Sequence, residues 1–124
     1  MKFGTAINCM DGRTQIPVIE WMKQNFDIDV VDMITEPGPI AIISENVEKE
    51  ILKSIKYRLW ISKDIHKSKV LAIVGHQDCA GNPVSKEEQI KQIKKSINRC
   101  HIYSEQMTVV GLWIDEYGKV TKII

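Results

Sequence analysis

Apolar residues recur along this chain in two periods, and the period switches several times. Phe3, Thr5 and Ile7 fall at every second position, which predicts a strand over Phe3 to Asn8. The stretch Cys9-Met10-Asp11-Gly12-Arg13 breaks that period, and Gly12 suits a turn. From about Thr14 to Phe26 the spacing is helical. Val18, Ile19, Met22 and Phe26 form the stripe, Thr14 stands at the N-cap and Pro17 in the first turn. A second strand is expected over Asp29 to Ile34, ended by the breaker Glu36-Pro37-Gly38-Pro39. Val47, Ile51, Leu52, Ile55 and Leu59 predict a long helix, capped by Ser44 and reaching about Ile61.

Lys69 to Gly75 is β-branched and almost continuously apolar, the pattern of a central parallel strand covered on both faces. It runs into His76-Gln77-Asp78-Cys79-Ala80-Gly81-Asn82-Pro83. Ser85-x-x-Glu88 is a capping box that opens a helix with Ile90, Ile93, Ile97 and Cys100 on its inner face. Thr108 to Ile114 reads as a fourth strand, Asp115 to Gly118 as a turn, and Lys119 to Ile124 as a returning edge strand. The order is βα-βα-βα-ββ. Right-handed crossovers make it an α/β three-layer sandwich, with a mostly parallel sheet of four strands plus an antiparallel edge strand. Ligands of such sheets sit beyond the carboxyl ends of the strands, where strand order reverses. If strands one and three are neighbours, the segments 9–13 and 76–81 face each other there.

Composition narrows this picture. At 124 residues, with 44% hydrophobic and 27% charged residues, the chain is expected to be a single globular domain over 1–124. Seventeen Lys and Arg against sixteen Asp and Glu leave a formal charge of +1, which argues against nucleic acid as the main partner. No apolar run approaches the ~20 residues of a membrane span, and Met1-Lys2-Phe3-Gly4-Thr5 lacks the features of a signal peptide, so the expected location is cytoplasmic. No phosphate-binding glycine motif of the G-x-G-x-x-G or Walker type is present.

The three cysteines, Cys9, Cys79 and Cys100, do not make a disulfide framework in a reducing compartment. Metal ligation, nucleophilic chemistry and core packing remain open to them. His76-x-x-Cys79 is short enough for one loop to place both side chains on one ion, and Cys9 supplies a third donor from the facing segment. Three protein ligands leave a fourth position open, as in catalytic zinc sites. Arg13 can hold Asp11 in a bidentate pair. Asp11 is then placed to orient a zinc-bound water or hydroxide, and released from Arg13 it can close the site. Taken singly, each of these residues has an ordinary structural explanation; it is their joint placement at strand ends that points to a zinc centre.

This combination, Cys9-x-Asp11-x-Arg13 after the first strand and His76-x-x-Cys79 after the third, resembles the β-class carbonic anhydrases. The resemblance implies that Cys9, His76 and Cys79 bind Zn2+ and that Asp11 and Arg13 gate and orient its fourth ligand. It also implies reversible hydration of carbon dioxide to bicarbonate by a zinc-bound hydroxide, and a homodimer or higher homo-oligomer. Relatives of this fold that hydrolyse CS2 or COS at a similar site offer an alternative activity, and a catalytically weak zinc-binding homologue offers another. A redox pair is disfavoured, because Cys9 and Cys79 lie in different loops without a Cys-x-x-Cys motif. Strand one is expected to begin near Met1, which on this resemblance would leave out the N-terminal helical arm usual in the family. The chain also reads Thr35-Glu36-Pro37-Gly38 where members commonly have Arg-Asn-Ala-Gly, and Ala80 where they have Gly. On this resemblance the chain is expected to be a short, divergent member whose pocket is completed differently.

The remaining chemistry has plainer readings. Cys100 is expected in the core, and His66 and His101 in solvent. Lys86, Lys91, Lys94, Lys95 and Arg99 make a solvated helix face interleaved with Glu87 and Glu88. Trp21, Trp60 and Trp113 are expected as core or interface anchors, with Leu112, Trp113 and Ile114 available for a dimer contact.

Overall fold

The computed structural model describes residues 1–124. Strand β1 spans Phe3–Cys9, β2 Val30–Glu36, β3 Val70–His76, β4 Thr108–Ile114 and β5 Val120–Lys122. The sheet runs in the order β2-β1-β3-β4-β5. β1 pairs in parallel with β2 and β3, and β3 with β4, while β5 returns antiparallel on β4. Strands one and three are therefore neighbours, and the chain reverses direction across the sheet between them.

Alternation along the strands sends side chains to two cores. Ile7, Ile34, Leu71 and Ile73 face one side, where they meet helices α2 (Pro39–Glu45), α3 (Glu50–Trp60) and α4 (Lys86–Cys100) through Ile40, Ile43, Leu52, Ile55, Leu59 and Ile93. Ala6, Val70, Ala72, Val74, Val110, Leu112 and Ile114 face the other, under Val18 and Met22 of helix α1 (Gln15–Asn25). Every residue of β3 is buried, as a strand covered on both faces requires. Each fully buried Ile, Leu or Val contributes about 1.5–3 kcal/mol. The result is the expected three-layer α/β sandwich with an antiparallel edge.

Several local expectations change. The predicted long helix is two helices. α2 begins at Pro39, in the first-turn position that proline favours, so the Pro37-Gly38-Pro39 breaker is also a helix start. It ends at Asn46, whose left-handed backbone (φ 54°) turns the chain. Ser44 lies inside α2, Val47 is exposed between the helices, and Lys49 stands at the N-cap of α3. Thr14 occupies the N-cap position of α1, as read, but its side chain makes no capping hydrogen bond. It closes a 3-10 turn, Gly12–Thr14, and its hydroxyl donates instead to the carbonyls of Cys9 and Asp11.

On α4 the fully buried face is Gln89, Ile93, Ser96 and Cys100, with Ile90 and Ile97 only partly covered. The capping serine is as expected, Ser85 Oγ accepting from the Glu88 amide at 3.1 Å. Cys100 packs in the core and His101 is exposed, both as read. His66 is not simply solvated. It ends a π-helical turn, Ile61–Ile65, stacks on Phe3 and places Nδ1 2.7 Å from Asp32 Oδ2. Asp32 also accepts from Ser62, which bonds Thr5 in the core. Leu112, Trp113 and Ile114 are buried within this chain and so form no exposed contact surface, whereas Trp60 is half exposed and stacks on Tyr57.

Candidate metal centre

β1 ends on Cys9 and β3 ends on His76, two adjacent parallel strands whose carboxyl ends meet at the reversal in strand order. Cys79 follows three residues after His76, across a turn in which Asp78 takes a left-handed backbone (φ 56°). The Sγ atoms of Cys9 and Cys79 are 3.8 Å apart, and the donor atoms of Cys9, His76 and Cys79 all lie within 4.8 Å of one another. All three residues are buried, at 4%, 3% and 4% relative exposure.

Three observations test whether this set fits a metal. The first is geometric: a tetrahedral ion with bonds of about 2.3 Å to sulfur holds two sulfurs roughly 3.8 Å apart. The second concerns His76. Its Nδ1 lies 2.8 Å from the Gln77 carbonyl oxygen, an atom that only accepts, so Nδ1 carries the proton and Nε2 the lone pair. That Nε2 is the single buried side-chain nitrogen or oxygen in the chain without a hydrogen-bond partner. The third concerns charge. Burial and the neighbouring Cys9 thiol push the Cys79 thiol up to about 11, against the amides of Gly81 and Asn82, which favour its anion. A cation between the sulfurs reverses that cost. The donor set is right in type, separation and unmet need.

Asp11 is near this group but not in it. Both of its oxygens are engaged by Arg13: Nε donates to Oδ1 at 3.0 Å, Nη2 to Oδ2 at 2.7 Å, and the Arg13 backbone amide to Oδ1 at 2.9 Å. The Arg13 guanidinium and then its backbone amide hold the Asp11 carboxyl at about 2, well below the ordinary carboxylate. The pair predicted from spacing is thus formed, in bidentate geometry. The guanidinium also reaches the second loop, where Nη2 donates to the Asp78 carbonyl at 3.1 Å.

Sequence reasoning missed the groups that aim the donors. Gln89, buried on α4, accepts from the His76 amide at 3.1 Å and donates to the His76 carbonyl at 2.8 Å, fixing the backbone of the last β3 residue from both sides. Gln15 Nε2 donates to the Cys9 carbonyl at 2.7 Å, and Asn8 Oδ1 accepts from the Cys9 amide at 2.9 Å. For Gln89 the signal was present in part: it stands one turn into the helix, four residues before Ile93 and so on the same face. The centre opens toward a cleft of about 830 Å³ between the loop after β3, the start of α4 and the β4–β5 turn, lined in part by Arg13, His76, Cys79, Lys86, Trp113 and Tyr117.

A parallel α/β sandwich with a Cys–His–Cys group at its switch point defines a class: a protein able to hold one metal ion between two strand ends. A family model described as "putative carbonic anhydrase" matches residues 1–124, and the chain belongs to that family, as a divergent member of β-carbonic anhydrase type. Solved structures agree on the fold. The chain is similar to β-carbonic anhydrase isoform I of the protozoan Trichomonas vaginalis, at 19% identity and a TM-score of 0.60, over 97% of this chain and 81% of that one. It is also similar to the tetrameric β-carbonic anhydrases of the ascomycete Sordaria macrospora (16% identity, TM-score 0.56, 98% and 80% covered). The β-carbonic anhydrase of Aspergillus fumigatus gives 14% identity and a TM-score of 0.58, with 98% and 74% covered. Among curated proteins no sequence matches the chain.

Proposed function

We propose that this protein catalyses the reversible hydration of carbon dioxide to bicarbonate, with Cys9, His76 and Cys79 as the ligands of a zinc ion. The observation that carries this reading is the buried, unpartnered Nε2 of His76 beside two buried thiols. Zinc held there supplies Lewis-acid activation of water. The chain's own residues do the rest. His76 is kept in its Nε2-accepting tautomer by the Gln77 carbonyl and in place by Gln89. Asp11, ionised at every physiological pH, offers an acceptor that orients the attacking oxygen, and Arg13 fixes that carboxylate while leaving it charged. The cleft admits substrate and releases bicarbonate past Arg13 and Lys86.

The tetrameric Sordaria relatives support a homo-oligomer, and three free cysteines support a reducing, cytoplasmic setting. No helix is long and apolar enough to cross a membrane. The test is stopped-flow CO2 hydration by zinc-loaded protein from about pH 7 to 9, where the rate is expected to rise with pH because deprotonated water is the attacking species. Asp11→Asn should lower turnover by roughly 10²-fold with zinc retained. Full zinc occupancy without a rate above buffer overturns the reading.

A further inference from the structure

Asp78 stands between His76 and Cys79 and takes no part in the proposed chemistry. Its side chain is 81% exposed, and its carboxylate lies 3.6 Å from Arg13 Nη1. An exposed pair at that distance contributes little. Its backbone is more informative. At φ 56° it occupies the left-handed region, which most L residues avoid and which Asp and Asn tolerate best. In that conformation its carbonyl oxygen accepts from Arg13 Nη2 at 3.1 Å. The same nitrogen donates its other hydrogen to Asp11 Oδ2 at 2.7 Å, and Nε donates to Asp11 Oδ1 at 3.0 Å. One edge of the guanidinium thus belongs to the loop after β1, and its outer hydrogen to the loop after β3. Turning the guanidinium about its Nε–Cζ bond breaks contacts to both loops at once.

We propose that Asp78 is a positioning residue: through its backbone carbonyl it holds Arg13 against Asp11 and so latches the two metal-centre loops together. The proposal deepens the function above and rests on it only for the use to which the Asp11–Arg13 pair is put. The carbonyl accepts a charge-assisted hydrogen bond at 3.1 Å, whereas the Asp78 carboxylate, at 3.6 Å, is beyond hydrogen-bond reach of the guanidinium. The left-handed turn, rather than the acid, is therefore the working feature.

Nitrogen-15 NMR of the full zinc-loaded chain reads the latch directly, as the rate at which Arg13 Nη1 and Nη2 exchange by rotation about Nε–Cζ. Asp78→Val, which disfavours the left-handed backbone, is expected to speed that rotation about tenfold. Asp78→Gly and Asp78→Asn, which accept the same backbone, are expected to keep the wild-type rate. Should the valine variant fail to fold, Asp78→Ala is expected to move the rate in the same direction by less. An unchanged rate in the valine and alanine variants overturns the proposal. So does an equal acceleration in the glycine or asparagine variants, because that assigns the hold to the carboxylate. The signal is read without turnover. A wild-type protein that carries zinc and hydrates no CO2 would overturn the proposed function and leave this result untouched.

Discussion

The two loops that bring donor atoms together are built on opposite plans. The loop after β1 is held mainly by its own neighbours: Thr14 and Gln15 bond the carbonyls of Cys9 and Asp11, and Arg13 bonds Asp11, all within six residues. Met10 on the Glu36 carbonyl and Arg13 on the Asp78 carbonyl are its longer ties. The loop after β3 is held from a distance. Gln77 donates its amide to the Ile114 carbonyl of β4, Gln89 of α4 brackets His76, and Asn82 bonds Gln92 at 2.6 Å. Gly81 packs directly on Pro37. The first loop is a local knot of side chains, the second a joint among distant parts of the chain. The same kind of substitution should therefore cost more in the second.

The largest effect ignores the difference between the loops. Cys9→Ser removes a donor from the first and Cys79→Ser from the second. Each is expected to reduce bound zinc from about one ion per chain to a small fraction of that after a chelator wash. Metal analysis of the purified variants reads this. Retention of full zinc by either variant takes that cysteine out of the donor set.

A pair of glycines sharpens the comparison. A Cβ at Gly81 would lie 2.6 Å from Pro37 Cβ and 2.7 Å from its carbonyl carbon, and backbone cannot step aside as a side-chain tip can. Gly81→Ala is expected to cost about 1–3 kcal/mol, with weakened metal binding, because Cys79 sits two residues away. At Gly12, in the first loop, a Cβ meets nothing within 4 Å. Gly12→Ala is expected to stay within about 0.5 kcal/mol of wild type. Urea unfolding of both variants checks the contrast, and equal costs would mean that the second loop is no more constrained than the first.

The same contrast explains what could be read in the sequence. Cys9, Asp11 and Arg13 declared themselves because their interactions are local: spacings of two and four residues put a carboxylate and a guanidinium in reach of each other beside a cysteine. His76 and Cys79 were visible as a ligand pair, and the period-2 and apolar runs marked β1 and β3 as strands, but only the sheet order makes the two segments neighbours. Gln89 was not seen, since its partner is 13 residues away on another element, and Gly81 stood only as one residue of the segment after the third strand, with nothing local to show that it presses against Pro37. The helix boundary at 46–49 was hidden for a related reason. Apolar spacing runs through it, and only the left-handed Asn46 marks the break. His66 was read from its lysine-rich neighbours, which say nothing of Asp32 on a distant strand.

The smallest expected effect tests whether charge or shape holds the local knot. Asp11→Asn keeps an oxygen able to accept from the Arg13 amide, at the position where Oδ1 now accepts at 2.9 Å, and loses the ion pair. Because Arg13 depresses the Asp11 carboxyl to about 2, the wild type gains stability from this pair above the ordinary carboxylate value of 3.8 and loses it as pH falls through about 2. Arg13 is largely exposed, so the gain is small and is further reduced by salt. The urea midpoint of the wild type should therefore exceed that of Asp11→Asn slightly at pH 6, and the gap should close between about pH 4 and 2. A gap that persists below that range would come from the shape of the side chain. The first loop would then be held by neutral hydrogen bonds and side-chain shape, as the second is, and the contrast between them would rest on distance along the chain alone.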